Sequence, residues 1–222
     1  MKIISRKNIH PPQMSKNLSS GSIAALKNED EISMISLSAP NWAGSSAAHV
    51  LVEKVVFKRA NLNQSRFNKP RLVDCQLESS DLSGMDWEQA RFRRVAFIGC
   101  RLIGAQLLDA EFEDVTFKDC SLENAVFLSS KFKAVCFENC RLREASFENA
   151  DCSGVIFDHC DLTRADLRLV KLSGADFRGS RLDGMQVGAQ ELEGAIVDSS
   201  QTIQIASLIG LLVKEYGEEM DE

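Results

Sequence analysis

Four cysteines stand twenty residues apart, at Cys100, Cys120, Cys140 and Cys160. Four thiols are a donor set for structural zinc, and two neighbouring thiols are the makings of a disulfide. The other residues of catalytic type are His10, His49 and His159, of which His159 follows Asp158. A histidine beside a carboxylate is part of a nucleophile's triad. Whether any of these groups can do chemistry depends on the backbone that places them.

That backbone is legible in FKDCSLENAVFLSSKF, residues 117–132, which puts large apolar residues at Phe117, Leu122, Phe127 and Phe132. The interval is five, unlike the 3.6 of a helix or the 2 of a strand. Stepping by five from Phe57 to Val197 meets an apolar residue every time. Two residues before each centre lies a mostly small one, as in Val95, Cys100, Ala105 and Ala110. The remaining positions are largely polar, charged or glycine.

A longer period lies over the first. Leu62, Leu82, Leu102, Leu122, Leu142, Leu162 and Leu182 recur at twenty, as do Phe97, Phe117, Phe137, Phe157 and Phe177. Repetition on this scale marks a solenoid. Each five makes one side of a squarish coil, with the central and small residues pointing in. Coils stacked at the β spacing of ~4.8 Å make a rod of roughly 35 Å from seven turns.

The cysteines then form a row along the rod, and a row cannot surround a tetrahedral ion. In-register side chains hold their Cβ atoms at the coil spacing, above the ~3.8 Å a disulfide prefers. Core packing is the reading that fits, with Cys140 inside and Cys136 facing out. His159 falls on an outer face as a solvated residue. There is no Walker loop, HExxH or phosphate-binding GxGxxG. Gly84, Gly104, Gly154, Gly174, Gly184 and Gly194 recur two residues after a centre, a turn position that favours positive φ. No catalysis, cofactor, metal or small-molecule substrate is expected.

The units Ala60-Asn61-Leu62, Ala165-Asp166-Leu167 and Ala175-Asp176-Phe177 match the consensus A(D/N)Lxx, and the chain resembles the pentapeptide-repeat family from about Val55 to Asp198. The resemblance implies an all-β solenoid: a right-handed quadrilateral parallel β-helix of about seven coils, with a short C-terminal capping helix. It also raises one activity, since some members bind type II topoisomerases such as DNA gyrase as mimics of duplex DNA and confer fluoroquinolone resistance. Several members dimerise through a C-terminal segment.

The chain divides into a loose polar segment at 1–30, an N-terminal cap at 31–54, the repeat at 55–198, a capping helix at 199–213 and an acidic tail at 214–222. Met1 to Gln13 has a basic start without an apolar stretch behind it, so no secretory leader is expected. In the capping helix, Ile205, Leu208, Ile209 and Leu212 fall at helical spacing after Ser199 and Ser200 as N-caps, and offer either a lid or a dimer contact.

The net charge of −6 over 222 residues argues against direct nucleic-acid or membrane-surface binding. Seven cysteines, an odd number, suit a reducing, cytoplasmic compartment. No face of the repeat departs from neutrality by more than two charges, so no stripe matches the charge density of a duplex. Exposed apolar residues are expected at Ile98, Ile103 and Leu108, on three successive faces, with Leu128 beside Leu108 and Val126 on the same side. The expectation is a non-enzymatic interaction scaffold contacting another protein around Leu108, Val126 and Leu128. The topoisomerase-binding DNA mimic is the alternative.

Overall fold

The step of five becomes one side of a four-sided coil in the computed structural model of the chain, which describes residues 8–214. Strands Arg71–Glu78, Arg91–Ile98, Glu111–Lys118 and Lys131–Glu138 pair in parallel, each residue opposite the one twenty further on. Bridges such as Asn61↔Asp81, Arg101↔Ser121 and Gln106↔Val126 carry the same offset around the other sides. The centres are buried, and their rings stack coil on coil. Phe97, Phe117 and Phe137 lie 4.7 Å apart, and Phe92, Phe112 and Phe132 lie 4.8–4.9 Å apart. Between stacks the rings meet edge-on, as Phe127 does with Phe112 at 5.9 Å. Offset-stacked and edge-to-face contacts are the geometries aromatic pairs favour.

Turning the chain every five residues requires a left-handed residue at each corner. Every fifth residue from Met34 to Gly184 has a φ of about +50° to +75°. Five of the six glycines expected at turns lie on this series; Gly194, at φ +76°, stands beyond Ala189, where the series breaks, and Gly104 has open space where a Cβ would be. Most corners are nevertheless occupied by other residues, Asn and Asp among them.

The segment at 31–54 covers the first coil by being a coil itself. Glu31–Ser33 pairs with Leu51–Glu53, and Ile32, Leu37, Trp42, Ala47 and Val52 are buried at the same step of five. Before it, residues 8–30 differ from the loose segment their polarity suggests. Ser19–Gly21 pairs with Ile35–Leu37, Leu26 is buried, and the Trp42 indole donates to the Ile23 carbonyl at 2.8 Å. Further out, the amides of Gln13 and His10 donate to Asp74 and Asp114 at 2.8 and 3.1 Å.

At the other end the helix is shorter than 199–213. A 3-10 turn at Ser199–Gln201 leads into Thr202–Leu208, and Gly210, at φ +83°, follows the helix end. The N-cap is Asp198, rather than Ser199 or Ser200, in a reciprocal capping box with Gln201. Ile205 and Leu208 pack on the core. Of the acidic tail at 214–222, all but Lys214 lies outside the described residues.

Leu169 holds a left-handed corner at φ +60° while 64% exposed, so it bears backbone strain without a core contact to offset it. Leu169→Asn, a residue tolerant of that region, is expected to stabilise the protein by about 0.5–1 kcal/mol in urea denaturation.

Candidate interaction surfaces

The cysteine row is interior and structural. Cys100, Cys120, Cys140 and Cys160 are all buried, and each thiol donates to the carbonyl of the centre 23 residues back, at 3.3–3.5 Å: Leu77, Phe97, Phe117 and Phe137. The next coil does the same with a serine, Ser180 donating to the Phe157 carbonyl at 2.8 Å. Beyond it the Gln201 amide donates to the Phe177 and Ser180 carbonyls at 2.7 Å. The row therefore gives buried carbonyls, already paired in the strand ladder, a second donor.

These environments suppress thiolate. Burial pushes Cys75 up to about 12, against an ordinary 9.0. The hydrogen bond with Cys120, followed by burial, drives Cys100 up further. Cys120 is lowered by Cys100 but raised by Cys140 and by burial, and stands at about 12. A neutral, enclosed thiol is neither nucleophile nor ligand. Cys136 lies on the outward side by strand alternation, yet is only 3% exposed, in register between Thr116 and Ile156. His159 is exposed, with Nδ1 2.8 Å from Asp158 Oδ1.

The outer faces carry ion pairs between neighbouring coils: Arg91 with Glu111 at 3.3 Å, Lys118 with Glu138 at 2.8 Å and Arg141 with Glu123 at 2.9 Å. Exposed pairs of this kind contribute little each, but they neutralise the surface. One pair is different. Asp74 is 2% exposed and accepts both arms of the Arg94 guanidinium, at 2.6 and 2.7 Å. Burial pushes its carboxyl up, but Arg94 and the Gln13 amide together outweigh that and hold it below the usual range. Sequence reading missed this pair. Its signal was opposite charge at corner positions one coil apart.

Ile98, Ile103, Leu108, Val126 and Leu128 are all half-buried. Leu108 and Leu128 are neighbours along one face, where the amides of Gln89 and Asp109 donate to their carbonyls, and Val126 stands between Gln106 and Ser146 on the same side. Glu88 and Glu148 bound the leucine pair on either side. Ile98 and Ile103 fall on other faces, Ile98 between Glu78 and Lys118. Of the helix residues, Ile205 and Leu208 face the core, whereas Ile209 and Leu212 are exposed, Leu212 by 88%. Ile203, Leu211 and Val213 are exposed beside them, and the apolar run Ile203–Val213 was the signal for this second apolar surface. No helix among the described residues is long and apolar enough to cross a membrane.

The buried thiols predict a specific alkaline sensitivity. Above pH 9 an unfolded thiol loses its proton and the folded Cys75 does not until about 12. Its contribution is complete below pH 9 and falls by about 1.4 kcal/mol per pH unit above it. Cys75→Ser removes this dependence. Between pH 8 and pH 10 the variant should gain about 1.4 kcal/mol relative to the parent in urea denaturation.

No curated protein matches the chain by sequence. Among solved structures it is similar to a trypsin-treated form of QnrB1, a plasmid-mediated fluoroquinolone resistance protein, at 18% identity over 89% of this chain and 100% of that one, with a TM-score of 0.48. HetL, a pentapeptide repeat protein involved in heterocyst differentiation regulation in the cyanobacterium Nostoc, matches at 18% identity over 78% and 91%, with a TM-score of 0.32. Rfr23 from the cyanobacterium Cyanothece matches at 16% over 78% and 88%, with a TM-score of 0.22. At such identities and scores these likenesses say nothing of function. The family model described as the pentapeptide repeat region matches residues 50–127 and 90–167, together more than half of the chain. With the twenty-residue register and left-handed corners above, this makes the chain a member of the pentapeptide-repeat family.

Proposed function

We propose that the protein is a non-enzymatic binding scaffold that presents rigid, flat side-chain arrays to another protein. The observation that carries this reading is the core: stacked centres fill it from Ile32 to Val187, leaving the outer faces as the place for contact. The contact we favour is the apolar group of Leu108, Val126 and Leu128 between Glu88 and Glu148, since contiguous apolar surface bounded by charge is the pattern of an interface. Seven free, buried cysteines suit a reducing, cytoplasmic setting. A duplex mimic would need a line of negative charge, and alternating ion pairs between coils weigh against that alternative.

A second surface is favoured by the exposure of Ile203, Ile209, Leu211, Leu212 and Val213 at the C-terminal end. It suits a homodimer contact, with Ile205 and Leu208 holding the helix to the rod.

Leu108→Ser with Leu128→Ser should leave the far-UV circular dichroism unchanged and remove the proteins that co-purify with the parent chain. Retention of the same partners would sink the interface. Leu211→Ser with Leu212→Ser should convert a dimer to a monomer in light scattering. A parent chain that is monomeric at all concentrations would remove the dimer reading.

A further inference from the structure

Along the rod, charges one residue before the centres alternate coil by coil: Arg91, Glu111, Lys131, Asp151, Lys171 and Glu191. The column one residue after the centres does the same with Arg93, Glu113 and Lys133. Neighbours in these columns pair, as Arg91 does with Glu111 and Lys171 with Asp151. The alternation fails at one step, where Arg71 stands opposite Arg91 in register. Like charges facing one another across neighbouring strands destabilise a sheet.

Glu111 offsets Arg91 from the far side, but no carboxylate does the same for Arg71. Among the described residues, Lys69, Arg71 and Arg93 have no carboxylate within ion-pair distance. The N-terminal arm that docks on the adjacent corner adds none, because the first acidic residue of the chain is Glu29. His49, Lys69, Arg71, Gln89 and Arg91 surround a hollow of about 350 Å³. It shares Arg71 and Arg91 with a trough of about 590 Å³ over Leu72, Phe92 and Phe112, which is basic at this end, with Arg93, and of mixed charge beyond, with Glu111, Glu113, Lys131, Lys133 and Asp151. The five basic residues are exposed.

We propose that this groove binds an acidic peptide segment of a partner protein. Guanidinium forks match carboxylates in geometry. Arg91 and Arg93 lie two residues apart on one strand, ~6.6 Å, which is also the spacing of carboxylates at alternate positions of an extended peptide. A nucleic acid fits less well. The basic surface ends one coil on, at Asp109, Glu111 and Glu113, where a continuing line of phosphates would meet carboxylates. The phenylalanine and tryptophan rings are buried in the core, so none is offered for base stacking. The proposal goes beyond the scaffold reading and shares no residue with the Leu108 surface.

The test is fluorescence anisotropy of the full chain with a fluorescein-labelled Gly-Glu octapeptide of alternating sequence, against its Gly-Gln counterpart and octathymidylate. The acidic peptide should bind, the neutral one should not, and binding should weaken about tenfold between about 50 and 300 mM salt. Arg71→Glu with Arg93→Glu should abolish binding, while Arg101→Glu, on another face, should not change it. Arg71→Glu alone restores the alternation of sign, so that variant should melt at a higher temperature while binding less. Unchanged binding by the double variant would overturn the proposal. So would tighter binding of octathymidylate than of the acidic peptide.

Discussion

A phenylalanine ring 4.7 Å from its copy in the next coil sets the terms for the whole molecule. The distance is that between hydrogen-bonded strands, so backbone pairing and ring stacking are satisfied together only if each coil repeats the one below in register. A single insertion would move every later centre out of its stack. The corners follow from the same demand: a side of five residues that ends facing a new direction needs a left-handed residue, and non-glycine residues accept it because the stacked core outweighs the local cost. A core built this way has no room for a substrate, and it carries the chain's distinctive features to the outside.

Such a stack cannot end itself, because every coil leaves carbonyls for the next to satisfy. From Leu77 onward each central carbonyl on one side accepts from a thiol or hydroxyl one coil on, until Gln201, where an amide from the capping turn takes two carbonyls at once. The other end is closed by chain that runs along the rod. Gln13 docks at Asp74 and His10 at Asp114, two coils further. Three residues of an extended proline-rich segment cover ~9.3 Å, and two coils cover ~9.6 Å. Pro11 and Pro12 thus stiffen a step whose length already matches the rod.

The repeat was legible because one residue type per position determines it: Phe or Leu at centres, Ala, Val, Cys or Ser before them. The coil at 31–54 was harder to read. Its centres are in phase, but Ala47 is small for a centre, and Asp30, Ile35 and Pro40 do not resemble the usual small residue. Asp74 and Arg94 were hidden for another reason. Corner residues point to water in the repeat pattern, and the amide that meets Asp74 comes from 61 residues away. The exposed end at Leu211 and Leu212 was obscured by helical spacing that continues past the true helix end.

In a protein where each position is copied every twenty residues, a residue unlike its copies needs a cause. The end of the stack explains Gln201, and the N-terminal arm explains Asp74 and Arg94. Leu108 and Leu128, in a column that is polar on either side, with Asn68 and Glu88 before them and Glu148 and Arg168 after, have no such internal cause among the described residues. Neither does Arg71 opposite Arg91, in a column that otherwise alternates in sign. Both departures lie on outer faces, and the second opposes the stability of the fold. An arrangement that costs stability without a matching gain inside the molecule is where the proposed binding of a partner would supply the cause.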